Sequence, residues 1–164
     1  MIAIDIPTLV LSSVILLGVA APFISYSIKS KKAKARFLNG FDQYVSGLNL
    51  KVDVQEDWRN RYILGIDSTQ KALVYYQIGE NETKSQVKLQ ELSNAVVHQS
   101  YLNSDNPTAT SKSLEQVTIQ LFFKDPAKRT LNLEIYNHEY YSDLLGETML
   151  ASKWADLINQ TITK

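Results

Sequence analysis

Cysteine is missing from the 164-residue chain, and histidine (two), proline (four) and glycine (six) are scarce. Without cysteine there is no disulfide framework, no thiol nucleophile and no thiolate-ligated metal. His98 and His138 are the only imidazoles. The stretch "NHEYYSD" sets His138 beside Glu139, with Asp143 further on, but a metal site needs three or four converging ligands and no second histidine stands near. These residues read as a solvated turn, so no metal and no other cofactor is expected. Glycine never falls in G-x-x-x-x-G-K or G-x-G-x-x-G spacing, and no serine sits in a nucleophile-elbow pattern. Asp53, Glu56 and Asp57 crowd together in "DVQEDWR". A working acid–base pair needs a pocket and two unlike environments, and neither is indicated, so this stretch reads as an exposed acidic turn. The expectation is a protein that is not an enzyme.

An excess of charge of one sign is also missing: seventeen basic residues face seventeen acidic ones. The balance is uneven along the chain. Lys29, Lys31, Lys32, Lys34 and Arg36 lie within eight residues, and beyond them twelve basic side chains meet sixteen acidic ones. A domain with that balance repels a phosphate backbone, so nucleic acid is not an expected partner. With 45% hydrophobic and 21% charged residues, the composition is that of a folded domain.

What the chain does have is one long uncharged run, "IPTLVLSSVILLGVAAPFISYSI", 23 residues from Ile6 to Ile28. As a helix it would measure about 35 Å, enough to cross a hydrocarbon core of about 30 Å. Residues 1–28 therefore read as a short tail and a transmembrane anchor. A cleaved signal peptide should open with basic residues, and "MIAID" has none, although "GVAAP" offers the small residues that cleavage needs. Basic residues crowded after a span mark the cytoplasmic side. The expected location is the cell membrane, single-pass, with the N-terminus outside and the remainder cytoplasmic. The sequons at Asn81 and Asn159 would then never meet a glycosylation machinery. An exported binding domain, released by cleavage, is the alternative.

Residues 29–49 continue as a basic juxtamembrane and helical segment. Phe37, Phe41, Tyr44, Val45 and Leu48 form one helical stripe, opposite Asn39, Asp42, Gln43 and Ser46. The stripe suits either the lipid interface or the following domain. The domain is favoured, because the basic residues precede the stripe and do not flank it.

From residue 50 to 164 the period changes. "RYILGID" and "ALVYYQI" are rich in β-branched and aromatic residues and are separated by the polar turn "STQK". "SQVKLQEL" and "NAVVHQSYL" follow as strands, then a polar loop around Pro107. "EQVTIQLFFK" alternates Val117, Ile119, Leu121 and Phe123. "DPAKR" turns it into "TLNLEIYN", with Leu131, Leu133 and Ile135 on one face. In "GETMLASKWADLINQTITK" the spacing returns to helical. Leu150, Trp154, Leu157 and Ile158 make the core stripe of a closing helix, with Glu147 suited to its first turn. An antiparallel sheet needs such a cover. Adjacent Tyr75 and Tyr76 in one strand, with Tyr140 and Tyr141 after the last, offer a candidate partner patch.

Antiparallel hairpins closed by one C-terminal helix with a central Trp resemble the pleckstrin-homology-like fold. That resemblance implies a curved antiparallel sheet or partly open barrel, an α+β domain that is mainly β, with Trp154 packed into its core. The whole chain is similar to small single-span bacterial membrane proteins bearing such a domain. Phosphoinositide-binding members carry several basic residues in the first hairpin loop, whereas "DSTQK" has Lys71 alone, so headgroup binding does not follow. Many members bind peptides or proteins instead. The expected function is a membrane-anchored, non-enzymatic binding or scaffolding module for a protein or peptide partner. The alternative is an inner-leaflet lipid sensor, with Lys29, Lys31, Lys32, Lys34 and Arg36 contacting the membrane surface.

Overall fold

The computed structural model describes residues 6–79, 82–102 and 113–163. The sequon at Asn81 and the loop around Pro107 lie outside these residues. The chain divides into two compact units, Met1–Tyr44 and Val45–Lys164.

The described residues of the first unit form one helix, α1 (Ile6–Gly47), which continues along the chain to Gly47. At 42 residues it is about 63 Å long, with Pro22 inside it. It corrects the reading of a membrane anchor. Among the described residues, no helix is long and apolar enough to cross a membrane. The transmembrane span over 1–28, the single-pass location with its orientation, and a bilayer crossed by that span do not stand against this finding. The border at Ile28 is not a helix end. The same helix runs on through Lys29, Lys31, Lys32, Lys34 and Arg36, all exposed. Described side chains ahead of that border mix Leu16, Val19 and Phe23 with Pro22, Ser25 and Ser27. Further along, Phe37 and Phe41 of the expected stripe are buried.

The second unit is α+β: two antiparallel sheets and a C-terminal helix. Strands β1 (Val54–Trp58), β2 (Tyr62–Asp67), β3 (Ala72–Gln77) and β4 (Thr83–Lys88) form one sheet in the order β1-β2-β3-β4. Strands β5 (Leu92–Tyr101), β6 (Leu114–Phe123) and β7 (Leu131–Asn137) form the other, in the order β5-β6-β7. A single 3-10 turn, Leu89–Glu91, joins them, and α2 (Glu147–Ile162) follows.

The two-residue period places the core. Tyr62, Leu64 and Ile66 of β2, Leu73 and Tyr75 of β3, Val117, Ile119 and Leu121 of β6, and Leu133 and Ile135 of β7 meet in one buried cluster. Trp154, Ala151, Ala155 and Ile158 of α2 enter the same cluster, with Leu150 and Leu157 packed at its rim. The helix is also pinned by a polar clamp. The Asn159 amide donates to Ala95 O at 2.9 Å and accepts from Ala95 N at 2.8 Å, beside the irregular register between Leu92 and Asn94 of β5.

β1 stands where the acidic turn is expected. Val54, Glu56 and Trp58 share one face, and Glu56 interrupts the apolar alternation that would announce a strand. Its carboxylate is used by α2, accepting from Trp154 Nε1 at 2.9 Å and Lys153 Nζ at 2.7 Å. β1 pairs with β2 from Val54↔Ile66 to Trp58↔Tyr62. Between them Arg59 and Asn60 both take left-handed φ, 56° and 50°, as a primed turn requires, although neither is glycine.

Candidate binding groove

Strands β4 and β7 are each at the edge of a sheet. β4 pairs only with β3 among the described strands, and β7 only with β6. Between β4 and the turn from β6 to β7 lies a groove of about 680 Å³, lined by Lys84–Lys88 of β4, Glu91, Phe123 and the segment Lys128–Leu131 that leads into β7. Its apolar lining is Val87, Phe123 and Leu131, and its cationic lining is Lys84, Lys88, Lys128 and Arg129. Lys128 reaches Glu91 at 2.6 Å and lies over the Phe123 ring. That contact holds the Glu91 carboxyl below its ordinary range.

Which backbone groups of β4 face outward follows from its register. Leu89 N donates to Lys71 O at 2.7 Å, and the same alignment pairs Val87 with Leu73 and Ser85 with Tyr75. In an antiparallel ladder only alternate residues exchange hydrogen bonds with a given neighbour. Val87 and Ser85 therefore bond inward to β3, and the backbone N–H and C=O groups of Lys84, Gln86 and Lys88 point away from the sheet.

A smaller depression of about 510 Å³ lies between β1 and the start of α2, lined by Trp58, Arg59, Leu145, Glu147 and Met149 among others. Arg59 closes its floor: Nε donates to Glu147 Oε1 at 2.6 Å and Nη2 to Asp143 O at 2.7 Å. Glu147 in turn accepts from Leu145 N at 2.5 Å, which ties the first helical residue to the chain ahead of Gly146, whose φ is 101°.

The tyrosines expected as a partner patch do not share a surface. Tyr75 and Tyr76 are both buried, 2% and 5% exposed. Adjacent strand residues face opposite ways, and both faces of β3 are covered, so neither tyrosine adds to an exposed patch. Tyr140 and Tyr141 are half-buried beneath arginines, with Arg61 3.7 Å from the Tyr140 ring centre and Arg59 4.6 Å from that of Tyr141. Among the described residues Arg61 Nε and Nη2 are buried without a hydrogen-bond acceptor, and the aromatic face offsets part of their desolvation.

Behind them is a polar cluster that sequence reasoning missed. The Glu134 carboxyl accepts four hydrogen bonds, from Tyr62 Oη, Gln77 Nε2, Gln116 Nε2 and Asn137 Nδ2. Tyr75 Oη donates to Glu134 O at 2.7 Å. Burial first, then the charge of Glu134, pushes both the Tyr62 and Tyr75 hydroxyls far above the ordinary tyrosine range. This network joins the two sheets.

The acidic residues before β2 are likewise engaged. Asp53 accepts from Ser68 N and Oγ at 2.7 and 2.6 Å, which holds its carboxyl below the usual range. Asp143 is paired with Arg59 at 3.2 Å. Among the described residues no group of three or more His, Cys, Asp or Glu gathers as a metal site. No family model, curated protein or solved structure matches the chain.

Proposed function

We propose that the second unit is a non-enzymatic binding module that takes an extended segment of a protein partner as an added strand along β4. The carrying observation is the groove between the outward edge of β4 and the turn that leads into β7. An edge strand presents unpaired backbone donors and acceptors that template another chain, and here that edge borders an apolar floor. The four-plus-three arrangement of strands, with a helix whose central Trp154 is buried, supports reading the unit as pleckstrin-homology-like. The lipid-sensing alternative draws on the five exposed cations of α1. By helical spacing Lys29, Lys32 and Arg36 lie on one side and Lys31 and Lys34 on the other, so no single basic face results, and the groove reading is favoured.

Gln86→Pro tests it. The Gln86 N–H points outward, so proline removes an edge donor and leaves the β3–β4 ladder whole. Crosslinking of segments to the groove is expected to vanish while the thermal transition is kept. Capture that is unchanged in a folded Gln86→Pro chain would refute strand addition.

A further inference from the structure

We infer that the segment taken by the β4 groove is acidic, with carboxylates alternating with apolar side chains; this rests on the strand-addition reading above. A strand added to β4 would exchange hydrogen bonds with Lys84, Gln86 and Lys88, the residues whose backbone groups face outward. Residues directly opposite each other in a ladder project to the same face. The partner's side chains opposite Lys84, Gln86 and Lys88 therefore share the face of those two lysines. Its intervening side chains take the other face, which is that of Val87, beside Phe123 and Leu131 of the groove floor.

Charge decides what the first set must be. Four cationic side chains line the groove against one carboxylate, Glu91, and Glu91 is engaged by Lys128. Lys84 is paired with Glu82 at 2.8 Å. Lys88 and Arg129, both exposed, make no ion pair with any described residue and stand at the β4 side of the groove and in the turn before β7 respectively. A carboxylate opposite Lys88 and another reaching Arg129 satisfy these two positions, whereas a lysine there meets only like charge. This basic strip sits on a unit whose charged residues are otherwise mostly acidic, so it draws an acidic segment to one place. A nucleic acid finds no such fit: Phe123, the aromatic of the groove, is already covered by Lys128, and the outward backbone groups ask for a peptide.

The test uses the full chain and three short fluorescein-labelled peptides in which valine alternates with glutamate, glutamine or lysine, read by fluorescence polarisation. The glutamate peptide is expected to bind about tenfold more tightly than the glutamine peptide, with the lysine peptide weaker still. Lys88→Glu with Arg129→Glu, two exposed substitutions, is expected to reverse that order, and Gln86→Pro to abolish binding of all three. Equal binding of the glutamate and glutamine peptides, still lost in Gln86→Pro, would overturn the acidic preference and leave the strand-addition reading standing. Silence with every peptide would overturn both. Anionic vesicles or single-stranded RNA that displace the glutamate peptide, and whose own binding ignores Gln86→Pro, would also overturn the proposal, in favour of a simple anion site.

Discussion

Arg59 occupies a backbone conformation that costs a side-chain-bearing residue of order 1 kcal/mol, with φ at 56°. It is held there by what its guanidinium does: it bonds Glu147, which is only 4% exposed, and Asp143. Burial works against the charged guanidinium, but the hydrogen bond and charge of Glu147, then those of Asp143, outweigh it and raise its pKa. Substitution separates the two effects. Arg59→Ala keeps the strain and leaves a buried carboxylate unpaired, and is expected to cost about 2 kcal/mol in urea unfolding. Arg59→Gly leaves the same carboxylate but relaxes the turn, so it should be the milder variant, reversing the usual order of alanine and glycine. An alanine variant as stable as the glycine variant would show that the turn stores no strain.

At the scale of elements, α2 and β1 depend on each other through side chains far apart in sequence. Trp154 is 1% exposed in the core and its indole N–H donates to Glu56. Trp154→Ala is expected to cost about 3–5 kcal/mol by emptying that volume. Trp154→Phe should cost less, and Glu56→Gln, which can still accept from the indole, less again. Equilibrium unfolding of the three variants checks the order. The closing helix was legible in the sequence, since Leu150, Trp154, Leu157 and Ile158 recur at helical spacing, and β2, β3, β5, β6 and β7 announced themselves by apolar or alternating runs. β1 was not legible, because Glu56 takes an inward position whose partner lies on α2. The expected strand from Ser85 to Leu92 ends instead at Lys88, where a 3-10 turn carries the chain from one sheet to the other.

For the molecule as a whole, the two sheets are tied by the cluster around Glu134, and this sets a response to alkali. Tyr62 and Tyr75 have hydroxyl pKa values raised above those of an unfolded chain. Their contribution to stability is therefore complete below the unfolded value of about 10 and is lost as pH rises above it, because only the unfolded chain then releases the protons readily. Melting temperature should fall above about pH 10. A Tyr62→Phe, Tyr75→Phe chain should fall less steeply from a lower starting point. Parallel slopes for the two proteins would remove these tyrosines as the cause.

The sequence by itself determined the strands with clear period, the closing helix, the change of character after residue 50, and the absence of thiol chemistry. These follow from local spacing and composition, which need no knowledge of distant neighbours. Only the tertiary structure decided three things. One long helix runs through the charged border at Ile28, so the anchor inferred from an uncharged run does not stand among the described residues. Tyr75 and Tyr76 are both covered, because both faces of β3 are buried. The cations of β4 and those of the turn before β7, some forty residues apart in the chain, line one groove. The physical reason is common to all three: burial and charge density at a position depend on what the fold lays against it, and residues distant in sequence supply that.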